Sequence, residues 1–229
     1  MRTSDAAVSS GSQVIQRLSL PVATQASVAL SAQKVVFAFN GKSGGGKSAA
    51  QEYLFRAFGV PVVPKVSDRP PRIGATGPGD PVCVSPDHFT RMACHPSFYA
   101  YEYGGFRYGF SGQDLAGLLT TCQATSVIVA DHGVFHALEA DLHGGARFVP
   151  CFIESAAGIL WSRLRAAGYP EAEIQARVAR SASIVAAYEA EPDLYQVVID
   201  NNKDWPHFTQ QLMQLARHNE LRPRPAAAA

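Results

Sequence analysis

The run Gly41-Lys42-Ser43-Gly44-Gly45-Gly46-Lys47-Ser48 fits the spacing G-x-x-x-x-G-K-[ST] at every position and follows the apolar stretch Val35-Val36-Phe37-Ala38-Phe39. A loop of this composition can wrap successive backbone N–H groups around phosphate oxygens, because glycine puts no side chain in the way. Lys47 is placed to reach the terminal phosphates of a nucleotide, and the Ser48 hydroxyl to coordinate Mg²⁺. Residues 48–58 hold few helix breakers and carry Tyr53, Leu54, Ala57 and Phe58, so a helix is predicted whose positive N-terminal end faces the phosphates. Gly41, Ser43, Gly44, Gly45, Gly46, Lys47 and Ser48 are the expected phosphate-binding set. A flexible glycine turn is the competing reading, and strand, loop and helix in that order favour a nucleoside triphosphate site. The motif does not separate a kinase from an ATPase or GTPase, so the second substrate has to be sought elsewhere.

Arg69 and Arg72, held apart by Pro70 and Pro71, are suited to a second phosphate. A guanidinium fork binds phosphate oxygens in pairs and keeps its charge; a solvated basic loop is the plain alternative. Asp131 ends the apolar run Ser126-Val127-Ile128-Val129-Ala130, where strands of such folds deliver an acid to Mg²⁺ or to the acceptor, and that role is expected of it; a helix N-cap is the plain alternative. His132 and His136 are four apart, but no third ligand accompanies them, so a surface or hydrogen-bonded core pair is expected rather than a metal site.

These residues need a rigid frame. The chain has 229 residues, 47% hydrophobic and 17% charged, which fits one compact unit with small inserted lobes. Twenty basic and nineteen acidic residues give a net charge of +1, so no global field points to nucleic acid or to an anionic membrane. Cys83, Cys94, Cys122 and Cys151 form no C-x-x-C pair, which argues against a zinc ribbon or disulfide scaffold and for a reducing, cytoplasmic setting. No apolar run approaches the ~20 residues of a membrane span. A monomer or homodimer is expected.

Apolar segments near 60–63, 126–130, 147–153 and 196–199 alternate with helical stretches at 133–142, 156–166, 171–191 and 205–218. Alternating βα units predict an α/β fold, a parallel sheet flanked by helices on both faces. Residues 67–112, crowded with Pro, Gly, Arg and aromatics, break the pattern and are read as an inserted acceptor-binding lobe. The expected division is an N-terminal extension over 1–33, a core of 34–66 and 113–215 around the lobe, a helical lid at about 162–180, and a tail from 216. The extension, poor in acids and rich in Ser and Ala, also has the look of a transit peptide with too few basic residues.

Taken together, the motifs resemble those of the guanylate kinases. Val66-Ser67-Asp68-Arg69-Pro70-Pro71-Arg72-Ile73-Gly74 is similar to the R-P-P-R-x-G opening of their acceptor lobe, Val84-Ser85-Pro86-Asp87-His88-Phe89 to a following V-S-x-x-x-F, and Gly105-Phe106-Arg107-Tyr108-Gly109 to G-x-x-Y-G. The lid pattern is mirrored by Arg163-Leu164-Arg165-Ala166-Ala167-Gly168 and Ile174-Gln175-Ala176-Arg177. The resemblance runs from about 34 to 215. It implies a P-loop fold with an inserted lobe and lid, ATP as donor, Mg²⁺ as cofactor, and a nucleoside monophosphate, GMP by preference, as acceptor. It also implies that Ser67, Arg69, Arg72 and Tyr108 hold the acceptor phosphate, that Arg163 or Arg165 with Arg177 supplies lid charge, and that Asn201 lies near the donor's adenine. The base-reading positions depart from the family: Tyr99 stands where a glutamate reads guanine, with Glu102 three residues on, and Phe110 stands where a hydroxyl residue is usual, with Ser111 next. The alternatives are a sibling kinase for another phosphorylated small molecule, such as a ribose bisphosphate, and a scaffold domain that keeps the fold.

Overall fold

The computed structural model describes residues 33–71, 77 and 79–224. Arg72, residues 1–32 of the expected extension and the end of the tail lie outside the described residues.

β1 (Val35–Gly41), β6 (Ala124–Ile128), β7 (Arg147–Glu154) and β8 (Val197–Asp200) form a parallel sheet in the order β6-β1-β7-β8. The chain therefore has the α/β architecture with a helix-flanked parallel sheet. All seven residues of β1 are buried, as a strand covered on both faces requires. Its side chains alternate between two cores. Val35, Phe37 and Phe39 join Leu54 of α1 (Lys47–Phe58) and Phe208, Leu212 and Leu215 of α7 (Trp205–His218) on one face. Val36 and Ala38 join Leu115 of α3 (Gly112–Thr121), Phe135 and Leu138 of α4 (His132–Leu142) and Ile184 of α6 (Glu171–Ala190) on the other. Period-2 alternation in one strand thus fixes which helix lies on which side.

Residues 65–111 build a second sheet, β3-β2-β5-β4, from β2 (Lys65–Ser67), β3 (Val82–Cys83), β4 (Phe98–Tyr103) and β5 (Phe106–Ser111), with α2 (Pro86–Ala93) packed against β4. β4 and β5 are an antiparallel hairpin; β2 adds antiparallel to β5 and β3 parallel to β2. α5 (Ala157–Ala166) packs against α6.

Two expected strands differ. Val62 makes only an isolated bridge to Ser126, since Pro61 and Pro64 deny the segment two ladder donors. The strand expected at 126–130 pairs over Ala124–Ile128, and beyond it Val129 N still donates to Phe39 O at 3.1 Å before the chain leaves the sheet.

Candidate functional site

β1 delivers the glycine loop to the C-terminal edge of the parallel sheet, where such folds leave a crevice. Gly44 (φ 78°) and Gly46 (φ 103°) adopt left-handed backbone that only glycine enters freely. At Gly46 a Cβ would fall 2.3 Å from Asn201 Nδ2, so the position excludes any side chain twice over. Gly46 is also the N-cap of α1, makes no side-chain cap, and is followed by no acid in the first turn. The orphan N–H groups and the positive end of α1 are left to a ligand. Lys47 Nζ donates to the carbonyls of Gly41 (2.5 Å) and Lys42 (2.8 Å), folded back over its own loop. Lys42 Nζ donates to Ser155 O at 2.9 Å, anchoring the loop to the end of β7.

A cavity of about 370 Å³ opens over this loop, lined by Gly41, Ser43–Ala49, Arg163, Leu164, Tyr169 and Arg177 from the α5–α6 region, and, across from them, Lys65, Asp80, Tyr101, Tyr103 and Tyr108. Arg177 is only 3% exposed. Its guanidinium is held by Glu173 Oε1 (2.7 and 3.0 Å), by Ser43 Oγ (3.4 Å) and by the face of Tyr169 at 4.1 Å. Hydrogen bonds from Arg177 hold the Glu173 carboxyl below its ordinary range, and Arg69 adds to the same field. Arg163 Nη2 donates to Asn201 Oδ1 at 3.0 Å, while its Nη1 is buried without a protein partner. Burial pushes the Arg163 guanidinium pKa down, the mark of a cation short of a counter-ion.

The opposing wall follows from the alternation of β4. Tyr101 and Tyr103 point to the cavity, Tyr101 stacks on Tyr108 with centroids 5.7 Å apart, and Tyr101 Oη donates to Ile128 O at 3.1 Å. Tyr103 Oη is buried without a hydrogen-bond partner. The sequence offers Tyr101 as a pocket residue together with Tyr99 and Phe110 and gives Tyr103 no role, although tyrosines at 99, 101 and 103 carry the period of a strand face.

Several expected site residues are placed elsewhere. Glu102 is exposed on the face of β4 opposite Tyr101 and Tyr103, so strand alternation turns its carboxylate away from the cavity. Tyr99 stacks on Phe110 at 5.0 Å and donates to Asp141 Oδ2 at 2.5 Å, outside the cavity lining. Arg165 lies on the exposed side of α5, paired with Glu171 at 3.2 Å. Asp131 caps α4, accepting from Val134 N at 3.0 Å, and Ser111 caps α3, accepting from Gln113 N and Asp114 N. Ser67 is fully buried, its hydroxyl donating to Arg107 O (2.8 Å) and accepting from Arg69 N (3.1 Å). Arg69 sits 5.6 Å from the ring centre of Phe106, off the cavity wall. Tyr108 and the whole phosphate-loop set line the cavity, and Asn201 is buried beneath the loop.

The histidines join a polar chain. Asn40 Nδ2 donates to Tyr195 Oη (2.6 Å), which lies 2.8 Å from His132 Nε2; His132 and His136 both reach Glu191. Among the described residues no cluster of His, Cys, Asp and Glu is arranged to hold a metal, and no helix is long and apolar enough to cross a membrane.

No protein-family model matches the chain, and no curated protein matches it in sequence. Solved structures do match in fold. A guanylate kinase from Anaplasma phagocytophilum superposes with a TM-score of 0.62 at 18% identity, over 84% of this chain and 89% of that one. A gluconokinase from Sinorhizobium meliloti 1021 matches with a TM-score of 0.46 at 18% identity, over 82% of this chain and 94% of the other. At this identity the likeness to the guanylate kinase is one of fold: a helix-flanked parallel sheet with the glycine loop at its edge.

Proposed function

We propose that the protein is an ATP-dependent phosphotransferase that moves the γ-phosphoryl group onto the phosphate of a small molecule. One observation carries this reading: a single cavity gathers the glycine loop with Lys47 and Ser48, two lid guanidiniums, the half-buried Arg163 and the buried Arg177, and a facing wall of tyrosines. Phosphoryl transfer asks for positioning and charge compensation rather than covalent help, and this is the inventory that supplies them. The fold likeness to a guanylate kinase supports an acceptor that is itself phosphorylated.

The donor fits the loop. Glycines at 44 and 46 leave the cradle open to phosphate oxygens, and the uncapped start of α1 favours negative charge. Mg²⁺ would be held by Ser48 together with the nucleotide phosphates, neutralising their charge. Asp131, committed to capping α4, is not required for it.

On the acceptor side the wall is aromatic, and we read the acceptor as a phosphorylated small molecule whose remaining part packs on Tyr101 and Tyr108, with Arg69 near the lid. GMP stands as the second reading, favoured by Asp80, the one carboxylate of the wall among the described residues, which retains accepting capacity beyond its bond from Gly77 N at 2.9 Å. ADP release measured with GMP, AMP, pentose phosphates and other sugar phosphates separates them. Turnover with a sugar phosphate and none with GMP selects the first reading; a clear GMP preference selects the second. No acceptor-dependent ADP release in any case, with nucleotide bound, would remove the phosphotransferase reading.

A further inference from the structure

Asn201 follows β8 and is 6% exposed. Its backbone N donates to Glu154 O at 2.9 Å, which fixes the residue at the sheet edge. Both ends of its amide are engaged. Nδ2 donates to Gly45 O at 2.8 Å and Oδ1 accepts from Arg163 Nη2 at 3.0 Å. Arg163 carries only donors, so it assigns the amide orientation: oxygen toward Arg163, nitrogen toward Gly45. Ser155 Oγ donates to the same Gly45 carbonyl at 3.3 Å.

The consequence lies in the peptide that joins Gly45 to Gly46. In a planar trans peptide the C=O and the following N–H point in opposite directions. Two donors pin the Gly45 carbonyl beneath the loop, so the Gly46 N–H is turned the other way, toward the cavity that both glycines line. Gly46 itself sits at φ 103°, and Asn201 Nδ2 occupies the space a Cβ would need. A loop this rich in glycine has many backbone states, and ordering one of them in advance lowers the entropic cost of binding. The same Arg163 lines the cavity and bonds Asn201, so α5, Asn201 and the loop peptide form one connected unit.

We propose that Asn201, held by Arg163 and assisted by Ser155, is a positioning residue that aims the Gly46 N–H at the donor's phosphate, rather than a reader of the donor's base. This rests on the nucleotide-binding reading above and deepens it: the loop should recognise the polyphosphate of the donor independently of the base attached.

The test uses the whole chain with two probes, ATP and inorganic tripolyphosphate, and follows the Gly46 amide resonance alongside calorimetric affinity. In Asn201→Asp the amide donor becomes an oxygen facing the Gly45 carbonyl, and in Ser155→Ala the second donor is removed with little change of shape. Asn201→Asp should weaken ATP and tripolyphosphate alike, by roughly 10-fold or more, with the Gly46 amide shift on binding diminished; Ser155→Ala should do the same to a smaller degree. Loss of ATP affinity with tripolyphosphate untouched would make Asn201 a base reader and overturn the proposal, as would unchanged affinity for both. Should Asn201→Asp fail to fold, Ser155→Ala alone decides by the same comparison. Failure of the wild-type chain to bind either probe would instead strike the nucleotide-binding reading itself.

Discussion

Arg177 of α6 donates from Nη1 to Ser43 Oγ, and four residues further on Ser181 Oγ accepts from Ser43 N at 3.2 Å, so one helix holds both the hydroxyl and the backbone N–H of the glycine loop's third residue. α6 is therefore docked on the loop, with Arg177 positioned by Glu173 and Tyr169 rather than left to search for its place. Preorganised charge of this kind costs no rearrangement when negative charge shifts during transfer. Arg177→Lys keeps the charge but loses the planar fork that bonds Glu173 and Ser43 together. We expect kcat to fall roughly 10- to 100-fold with a smaller change in the KM for ATP, and unchanged secondary structure by circular dichroism. An unchanged kcat would mean that Arg177 serves packing alone.

Lys47 spends its ammonium on the carbonyls of Gly41 and Lys42, bonds that a nucleotide's phosphates would replace. Lys47→Ala should leave the thermal unfolding midpoint within a few degrees of wild type while turnover drops by about 10²-fold or more. Steady-state ADP release alongside a melting curve checks both halves, and near-normal turnover would exclude Lys47 from the chemistry.

Much of this was readable in the sequence because it is local. A phosphate loop is a contiguous run, and α1, α6 and α7 carry long enough stretches for their limits to be read to within a residue or two. α2 was missed because eight residues give barely two turns of period. The hairpin Phe98–Ser111 was hidden by its even spread of aromatics: Tyr99, Tyr101 and Tyr103 share a strand face, yet only the register Tyr101↔Tyr108 makes a cavity wall of it. Asn201 and Ser155 are ordinary polar residues by themselves. They acquire a role only when β7 and β8 pair and bring both beneath Gly45, a relationship no local pattern encodes.

The acceptor wall gives a paired prediction. Glu102 lies opposite Arg107 in the hairpin register and faces solvent, so Glu102→Gln should leave kcat/KM for the best acceptor, and the ratio between acceptors, within about twofold of wild type. Tyr108→Phe removes a hydroxyl from the cavity wall while keeping the ring that stacks on Tyr101. Its effect should appear as a raised KM for the acceptor, roughly 5- to 10-fold, with the KM for ATP unmoved. A change of acceptor preference in Glu102→Gln and none in Tyr108→Phe would reverse this assignment of the two faces.

Asp68 fastens the lobe. Burial opposes its charge, but Arg107 outweighs that by donating from its backbone N to Oδ1 (2.8 Å) and from Nε to Oδ2 (2.6 Å), and the carboxyl pKa is held below its ordinary value. Arg107 in turn reaches Thr90 Oγ1 and Pro86 O and lies 4.9 Å from the centre of the Phe89 ring, so the pair ties β2, β5 and α2 into one piece. A carboxylate with a lowered folded-state pKa contributes stability that is fully present above its unfolded value, near pH 4, and is lost as pH falls through the folded value. Asp68→Asn should therefore be destabilised by about 1.5–3 kcal/mol across pH 5–8, and the gap to wild type should close only below about pH 4. Urea unfolding of both proteins at intervals from pH 3 to pH 8 measures it. A gap that instead narrowed as the pH rose from 5 to 8 would show that another group, not the Asp68 carboxylate, holds Arg107 in place.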